Sequence, residues 1–230
     1  MKDDAQLRAE ACDANRALGA SGLVTLTWGN ASAISADRSV VAIKPSGVDY
    51  ASLTPDHIVL VDLEGNPVRG SLRPSTDTPT HLALYKAFPS IRGIVHTHSF
   101  YATMFAQARL EIPCLGTTHA DHFAQSVPVT RQLSPAELDE YERNTGRVII
   151  ERFASIDPAA VPGVLVAGHG PFAWGPSCAK ALENAVALEA IARLAHGTFA
   201  LAPNAQTLEP HVLLKHHQRK HGPNRYYGQP

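Results

Sequence analysis

Short apolar runs with strand spacing alternate with helix-spaced stretches along the whole chain. This alternation restricts the possible folds more than any other feature. Residues 4–19 place Leu7, Ala11, Ala14 and Leu18 at helical spacing, with Gly19 and Gly22 as stop signals. Leu23–Trp28 and Val40–Lys44 read as strands, and Ile58–Asp62 as a third, followed by the hairpin signal Glu64-Gly65-Asn66. Thr78-Pro79 marks a helix start, with Thr78 capping and Pro79 at the first helical position, in a helix running to about Phe88. Gly93–His98 is expected as a strand and Ser99–Ala108 as a helix. Ser134-Pro135-Ala136-Glu137 has capping-box spacing, and Val148–Phe153 fits helix or strand. Gly163–Ala167 reads as a buried strand, residues 176–196 as the clearest helix, and 209–221 as a basic helix ending at Gly222. Interspersed strands and helices must stack in layers, so the class is α/β or α+β, with much of the sheet antiparallel. No repeat or linker divides residues 1–230, which read as a single domain.

Composition excludes several function classes. A chain of 230 residues, 44% hydrophobic, can bury roughly 70% of its unfolded surface. It contains no run of 18 apolar residues, so no membrane-spanning helix is expected. Met1-Lys2-Asp3-Asp4 is followed by no apolar stretch, so no secretory leader is expected either. Cys12, Cys114 and Cys178 are odd in number and far apart, which argues for a reducing compartment. With 20 basic and 21 acidic residues, neither nucleic acid nor an anionic membrane is an expected partner. The reading is a cytoplasmic protein with an unexplained surplus of imidazole, 12 histidines in all.

The surplus has a focus. His96-Thr97-His98 follows the apolar run Gly93-Ile94-Val95. On a strand, residues i and i+2 share a face, so the two imidazoles form a chelating pair suited to a borderline divalent metal such as zinc. His169, in Ala167-Gly168-His169-Gly170-Pro171, is a third candidate, with flanking glycines that allow close approach. Three histidines and an open fourth position are the form of a catalytic zinc site. An exposed strand end and a turn histidine account for the same residues more plainly. Asp77 precedes a helix and is either a charge on the helix dipole or a carboxylate beside the metal. Gly29-Asn30-Ala31-Ser32, Lys44-Pro45-Ser46-Gly47 and Ser75-Thr76 each offer small residues, hydroxyls and backbone N–H groups that suit a phosphate, and each also fits an ordinary turn.

Taken in order, these stretches carry a resemblance. Trp28-Gly29-Asn30, Lys44-Pro45-Ser46-Gly47, Asp77-Thr78-Pro79-Thr80-His81 and His96-Thr97-His98-Ser99 resemble the class II aldolase and adducin family. The match continues with His169 through Gly175, while Gly116-Thr117-Thr118-His119-Ala120-Asp121 and the tail from Lys215-His216 to Tyr226-Tyr227-Gly228-Gln229 resemble the pentulose-phosphate 4-epimerase branch. The resemblance implies a three-layer αβα fold around a largely antiparallel sheet, assembled as a C4 homotetramer with active sites between subunits. It implies His96, His98 and His169 as zinc ligands, with manganese or cobalt as alternatives. Asn30, Lys44, Ser46, Gly47, Ser75 and Thr76 match phosphate-binding positions, and Asp77 the acidic residue near the metal. Asp121, His216 and Tyr227 match residues that reach the site from a neighbouring subunit. Thr76 stands where a second serine is usual, Ala167 where a histidine is, and His122 where an aromatic is common.

The implied reaction interconverts L-ribulose 5-phosphate and D-xylulose 5-phosphate, in arabinose breakdown or another pentose route. The C4 proton is not alpha to the C2 carbonyl, so simple deprotonation gives no stabilised anion. Retro-aldol cleavage of C3–C4 and re-addition to the other aldehyde face solves this. The C4 oxygen points differently in the two epimers, so two proton-transfer groups are needed, for which Asp121 and Tyr227 are the candidates. Tyrosine has a reference pKa of about 10, and the tail offers Lys215, Arg219, Lys220 and Arg225 as cations beside Tyr227. The competing readings are a sugar-phosphate aldolase of the fuculose-phosphate type and a non-catalytic adducin-like binding module.

Overall fold

The structure, a computed structural model, describes residues 2–227. The N-terminal helix α1 (Lys2–Ala20) is followed by strands β1 (Gly29–Ile34), β2 (Val40–Ile43), β3 (Val59–Asp62) and β4 (Pro67–Arg69). Next come α2 (Thr78–Ala87), β5 (Gly93–Thr97), α3 (Phe100–Ala108), α4 (Thr117–Ala120) and α5 (Tyr141–Arg152). The chain then runs through β6 (Gly163–Leu165), β7 (Pro171–Gly175), α6 (Cys178–Leu201) and α7 (Pro210–His221). The strands form one sheet in the order β4-β3-β2-β1-β5-β7-β6. Every strand pair in it is antiparallel.

Strand alternation divides the core into two layers. Ala31, Ala33, Ala42, Val95 and Ala173 face α1 and the start of α6. Most of these are alanines, which lets two helices lie close on that face. Their sequence neighbours Val41, Ile94, Phe172 and Trp174 point the other way, to Leu82, Leu84 and Tyr85 of α2, Phe105 of α3 and Ile149 of α5. The result is the expected α/β class with helices on both faces of an antiparallel sheet. Gly93 shows how tightly the layers meet: a Cβ there would lie 2.4 Å from the Cα of Cys178.

Several expected elements differ. Leu23–Trp28 is not a strand; Trp28 N–H bonds Thr25 C=O in a turn, Leu26 takes a left-handed φ of 53°, and β1 begins only at Gly29. Its apolar character reflects exposed Leu26 and Trp28 rather than a buried ladder. The expected strand Gly163–Ala167 stops at Leu165, because the N–H of Val166 turns back onto the C=O of Gly170. Thr78 does not cap α2. Asp77 holds the cap position, and the Thr78 hydroxyl donates to Ser75 C=O at 2.6 Å. The capping box at Ser134 opens a 3-10 turn, Pro135–Glu140, that leads into α5, and α5 takes in residues 148–152 of the ambiguous stretch. Strand β7 and the short helix α4 have no counterpart in the sequence reading.

Candidate functional site

The chelating pair and His169 meet at the end of β5, an inner strand of the sheet. His96 lies within β5 and His98 follows its end, and β5 pairs with β7 so that His96 faces Phe172 in register. The turn between β6 and β7 thereby swings His169 beside them. Ring centroids are 5.0 Å apart for His96–His98, 4.8 Å for His96–His169 and 4.9 Å for His98–His169. One ring nitrogen from each falls within 4.8 Å of the others. The glycines flanking His169 now have separate causes. Gly168 takes φ 74°, and Gly170 leaves room for the Thr97 carbonyl, which a Cβ would approach to 2.7 Å.

The surroundings orient one imidazole and disfavour the charged form of the other two. His96 Nδ1 lies 2.9 Å from the Pro171 carbonyl, which can only accept, so Nδ1 donates and Nε2 is the ring nitrogen left for a metal. The His96 ring also stacks on Phe172 at 4.2 Å. Burial, then the neighbouring His96, lowers the pKa of His98. Burial, then His96 and His98, pushes His169 down to about 3. Three imidazoles packed together without hydrogen bonds to one another fit a divalent metal, which would bind one ring nitrogen of each. From α6, Glu189 braces the segment after His98, accepting from the N–H groups of Tyr101 and Ala102 at 2.8 and 2.9 Å in the first turn of α3.

The three phosphate-type stretches converge on the same place. Ser46 N–H bonds the Arg73 carbonyl and Ser75 N–H bonds the Lys44 carbonyl, each at 3.0 Å, so residues 44–46 and 73–75 run side by side. Gly29-Asn30 does not follow a strand, as expected, but opens β1. Asn30, Lys44, Ser46, Gly47, Ser75, Thr76 and Asp77 line one cavity of about 570 Å³ together with His96, His98 and His169. Besides Thr27, next to the Trp28-Gly29-Asn30 stretch, sequence reasoning missed two wall residues, Tyr141 and Glu142 at the start of α5. The Tyr141 hydroxyl lies 3.4 Å from His169 Nδ1. Only the packing of α5 against α2 brings these residues in, and no local motif marks them.

Asp77 occupies the helix cap position but makes no side-chain cap bond. Its carboxylate instead accepts from Asn30 Nδ2 at 2.7 Å. Burial pushes its pKa up, but His96, His81 and the Asn30 bond outweigh this and hold it below the usual value. Asn30 Nδ2 also donates to Ser75 Oγ at 3.0 Å, while its buried Oδ1 has no partner. An unsatisfied buried acceptor costs about 1–3 kcal/mol, and a ligand hydroxyl would satisfy it.

Asp121, His216 and Tyr227 are brought together, but not at this cavity. Asp121, at the end of α4, accepts from Arg219 Nε at 3.0 Å and Nη2 at 2.6 Å, and lies 3.2 Å from His216 Nδ1. Burial raises its pKa, but Arg219, His216 and Lys220 outweigh burial and hold the carboxyl below its ordinary range. Of the candidate cations, Arg219 and Lys220 sit over the Tyr227 ring at 4.9 and 4.5 Å, and Lys215 lies over Tyr226. Asp121 and Tyr227 line a separate hollow with Lys180 and His221. Gly228 and Gln229 of the tail motif lie outside the described residues. His119 points to the Gln125 carbonyl at 2.8 Å and so packs the fold rather than orienting Asp121. Trp174 and the three cysteines are core residues, as their types suggest.

Residues 9–196 match the profile of the class II aldolase and adducin N-terminal domain. The chain is 51% identical over 225 residues to the L-ribulose-5-phosphate 4-epimerase UlaF of Salmonella paratyphi A, covering 97% of this chain and 99% of the relative. UlaF of Salmonella paratyphi C is 50% identical over the same span. Among solved structures, an L-fuculose 1-phosphate aldolase superposes with a TM-score of 0.77 at 25% identity, covering 93% of this chain and 95% of the other. YgbL of Klebsiella pneumoniae, described as a putative aldolase/epimerase/decarboxylase, gives 0.73 at 26% identity over 92% and 98%.

Proposed function

The chain belongs to the class II aldolase and adducin family, and we propose from this that it is an L-ribulose-5-phosphate 4-epimerase. The observation that carries the reading is the single cavity in which a three-histidine cluster faces a phosphate-type wall. His96, His98 and His169 hold the metal, zinc being the first choice and manganese or cobalt the alternatives. When bound, the metal supplies Lewis-acid stabilisation of the charge that C3–C4 cleavage leaves on the ketone fragment.

The chain's own residues do the rest. Lys44 supplies the cation and Ser46, Gly47, Ser75 and Thr76 supply hydroxyls and N–H groups to the phosphate. The N-terminus of α2, directly after Ser75-Thr76, adds its dipole. Anchoring the phosphate keeps the aldehyde fragment in place while it turns its other face. Asp77 stays ionised, orients Asn30 and balances charge beside the imidazoles. Asp121 and Tyr227 exchange protons with the C4 oxygen on its two sides, with His216 supporting Asp121. Because Asp121 and Tyr227 line a hollow of their own, they serve the cavity of a neighbouring copy, which fits a C4 homotetramer in the cytoplasm. Among the described residues no helix is long and apolar enough to cross a membrane.

Incubation with L-ribulose 5-phosphate tests the reading. Formation of D-xylulose 5-phosphate without free aldehyde is expected. Net release of glycolaldehyde phosphate would instead make the protein an aldolase, a reading that the likeness to the L-fuculose 1-phosphate aldolase keeps in play. A protein that binds no divalent metal and turns over neither way would be the binding module.

A further inference from the structure

Lys44 is a charged side chain only 2% exposed. Among the described residues its ammonium makes one hydrogen bond, a long one of 3.3 Å to the carbonyl of its neighbour Pro45. Among the described residues no carboxylate lies within ion-pair distance of it. An ammonium buried this way is costly unless something replaces its water. The face of Tyr50 does so in part, with Lys44 Nζ 4.7 Å from the ring centroid. The same tyrosine reaches β1, where its hydroxyl donates to the Gly29 carbonyl at 2.7 Å. Gly29 adopts φ 122°, and a Cβ there would lie 2.8 Å from the His96 carbonyl, so this backbone is held close against the metal-site strand. Tyr50 is itself buried, wedged against α1 where Gly19 has no side chain; a Cβ on Gly19 would come within 2.5 Å of the Tyr50 Cβ. Burial, then the charge of Asp49, raises the Tyr50 pKa, which keeps the hydroxyl a donor.

We propose that Tyr50 is a positioning residue of the cavity: its ring seats the Lys44 ammonium on the wall, and its hydroxyl fixes the Gly29-Asn30 backbone opposite. One rigid side chain thus sets the distance between the phosphate cation and the metal-side end of the cavity. The inference rests on the phosphate reading of Lys44.

The two functions of Tyr50 separate by substitution. Tyr50→Phe keeps the ring and loses the hydroxyl, whereas Tyr50→Leu loses both. Binding of inorganic phosphate by calorimetry, and KM and kcat for L-ribulose 5-phosphate, are measured on the full chain, with Lys44→Met as reference. For Tyr50→Leu we expect phosphate affinity to fall about tenfold and KM to rise with it. For Tyr50→Phe we expect phosphate affinity within about twofold of the parent and a kcat reduced about tenfold, because only the Gly29 anchor is lost. A structural role alone would not split KM from kcat in this way. Phosphate binding lost in Lys44→Met but intact in folded Tyr50→Leu would overturn the proposal. Should Tyr50→Leu fail to fold, a Tyr50→Phe variant with parental kcat would do the same. Phosphate binding that survives Lys44→Met removes the phosphate reading itself, and the proposal with it.

Discussion

The histidine cavity and the C-terminal cluster around Asp121 are built in opposite ways. The cavity stands on strands: β5 delivers two imidazoles, the β6–β7 turn the third, and two backbone-paired loops the phosphate-type wall. Asn30, Lys44, Ser75 and His96 are buried in it, and its acidic member is held by a side-chain amide. The second cluster stands on helix ends: Asp121 at the end of α4, His216 and Arg219 on α7, and Tyr227 beyond it. There the carboxylate is held by a bidentate arginine, and the tyrosine is 57% exposed. The first region gathers three imidazoles and a phosphate-type wall, and the second gathers a carboxylate, a tyrosine and their cations in a hollow of its own. Under the epimerase proposal the two regions would act together only across copies, which makes the contrast between them testable.

The largest effect that tests this contrast is on the metal. Removing it by chelation, or changing His96→Asn, should lower kcat by about 10³-fold or more, since a Lewis acid supplies several kcal/mol. Metal content measured alongside should fall with activity; full turnover in metal-free protein would break the assignment of the cavity. Next comes Tyr227→Phe, expected to cost about 10²–10⁴ in kcat with metal content unchanged. Mixing it with His96→Asn under conditions of subunit exchange should restore part of the activity, and no recovery despite proven exchange would separate the two regions for good.

A smaller effect probes the cavity's backbone. Gly29→Ala places a methyl 2.8 Å from the His96 carbonyl at a φ that side chains avoid, and should cost about 1–3 kcal/mol of stability together with metal affinity. Unchanged metal affinity in thermal shift titrations would show that β1 does not control the ligand strand. The smallest effect belongs to the Asp121 cluster. The folded-state pKa of Asp121 lies below its unfolded value, so the contribution of this carboxylate is fully present above pH ~4 and is lost as pH falls through the folded value. Arg219→Met should therefore lower the melting temperature at pH 7, and the gap to the parent should narrow as pH falls below about 4. A gap independent of pH would mean that Arg219 acts through packing alone.

Much of the cavity was legible because its chemistry is local. His96-Thr97-His98 needs only strand alternation to form a chelating pair, and α6 and α7 declare themselves by period and by a terminal glycine. Leu23–Trp28 misled because an apolar run says nothing about whether a partner strand exists beside it. Thr78 misled because its hydroxyl finds a carbonyl three residues back, leaving the cap to Asp77, whose own side chain then turns to Asn30. Strand β7 was missed because Pro171-Phe172-Ala173 carries no alternation of polar and apolar residues, being covered on both faces.

The sequence by itself determined which groups could do chemistry, the class of the fold and the family to which the chain belongs, since these depend on residue types, short spacings and their order. Tertiary structure alone decided which groups meet. Antiparallel pairing of β5 with β7 closes the distance from His96 to His169, α5 inserts Tyr141 and Glu142, and Tyr50 joins Lys44 to Gly29. It also kept Asp121 and Tyr227 on a surface of their own. Such encounters depend on register and packing between distant segments, which no local pattern encodes.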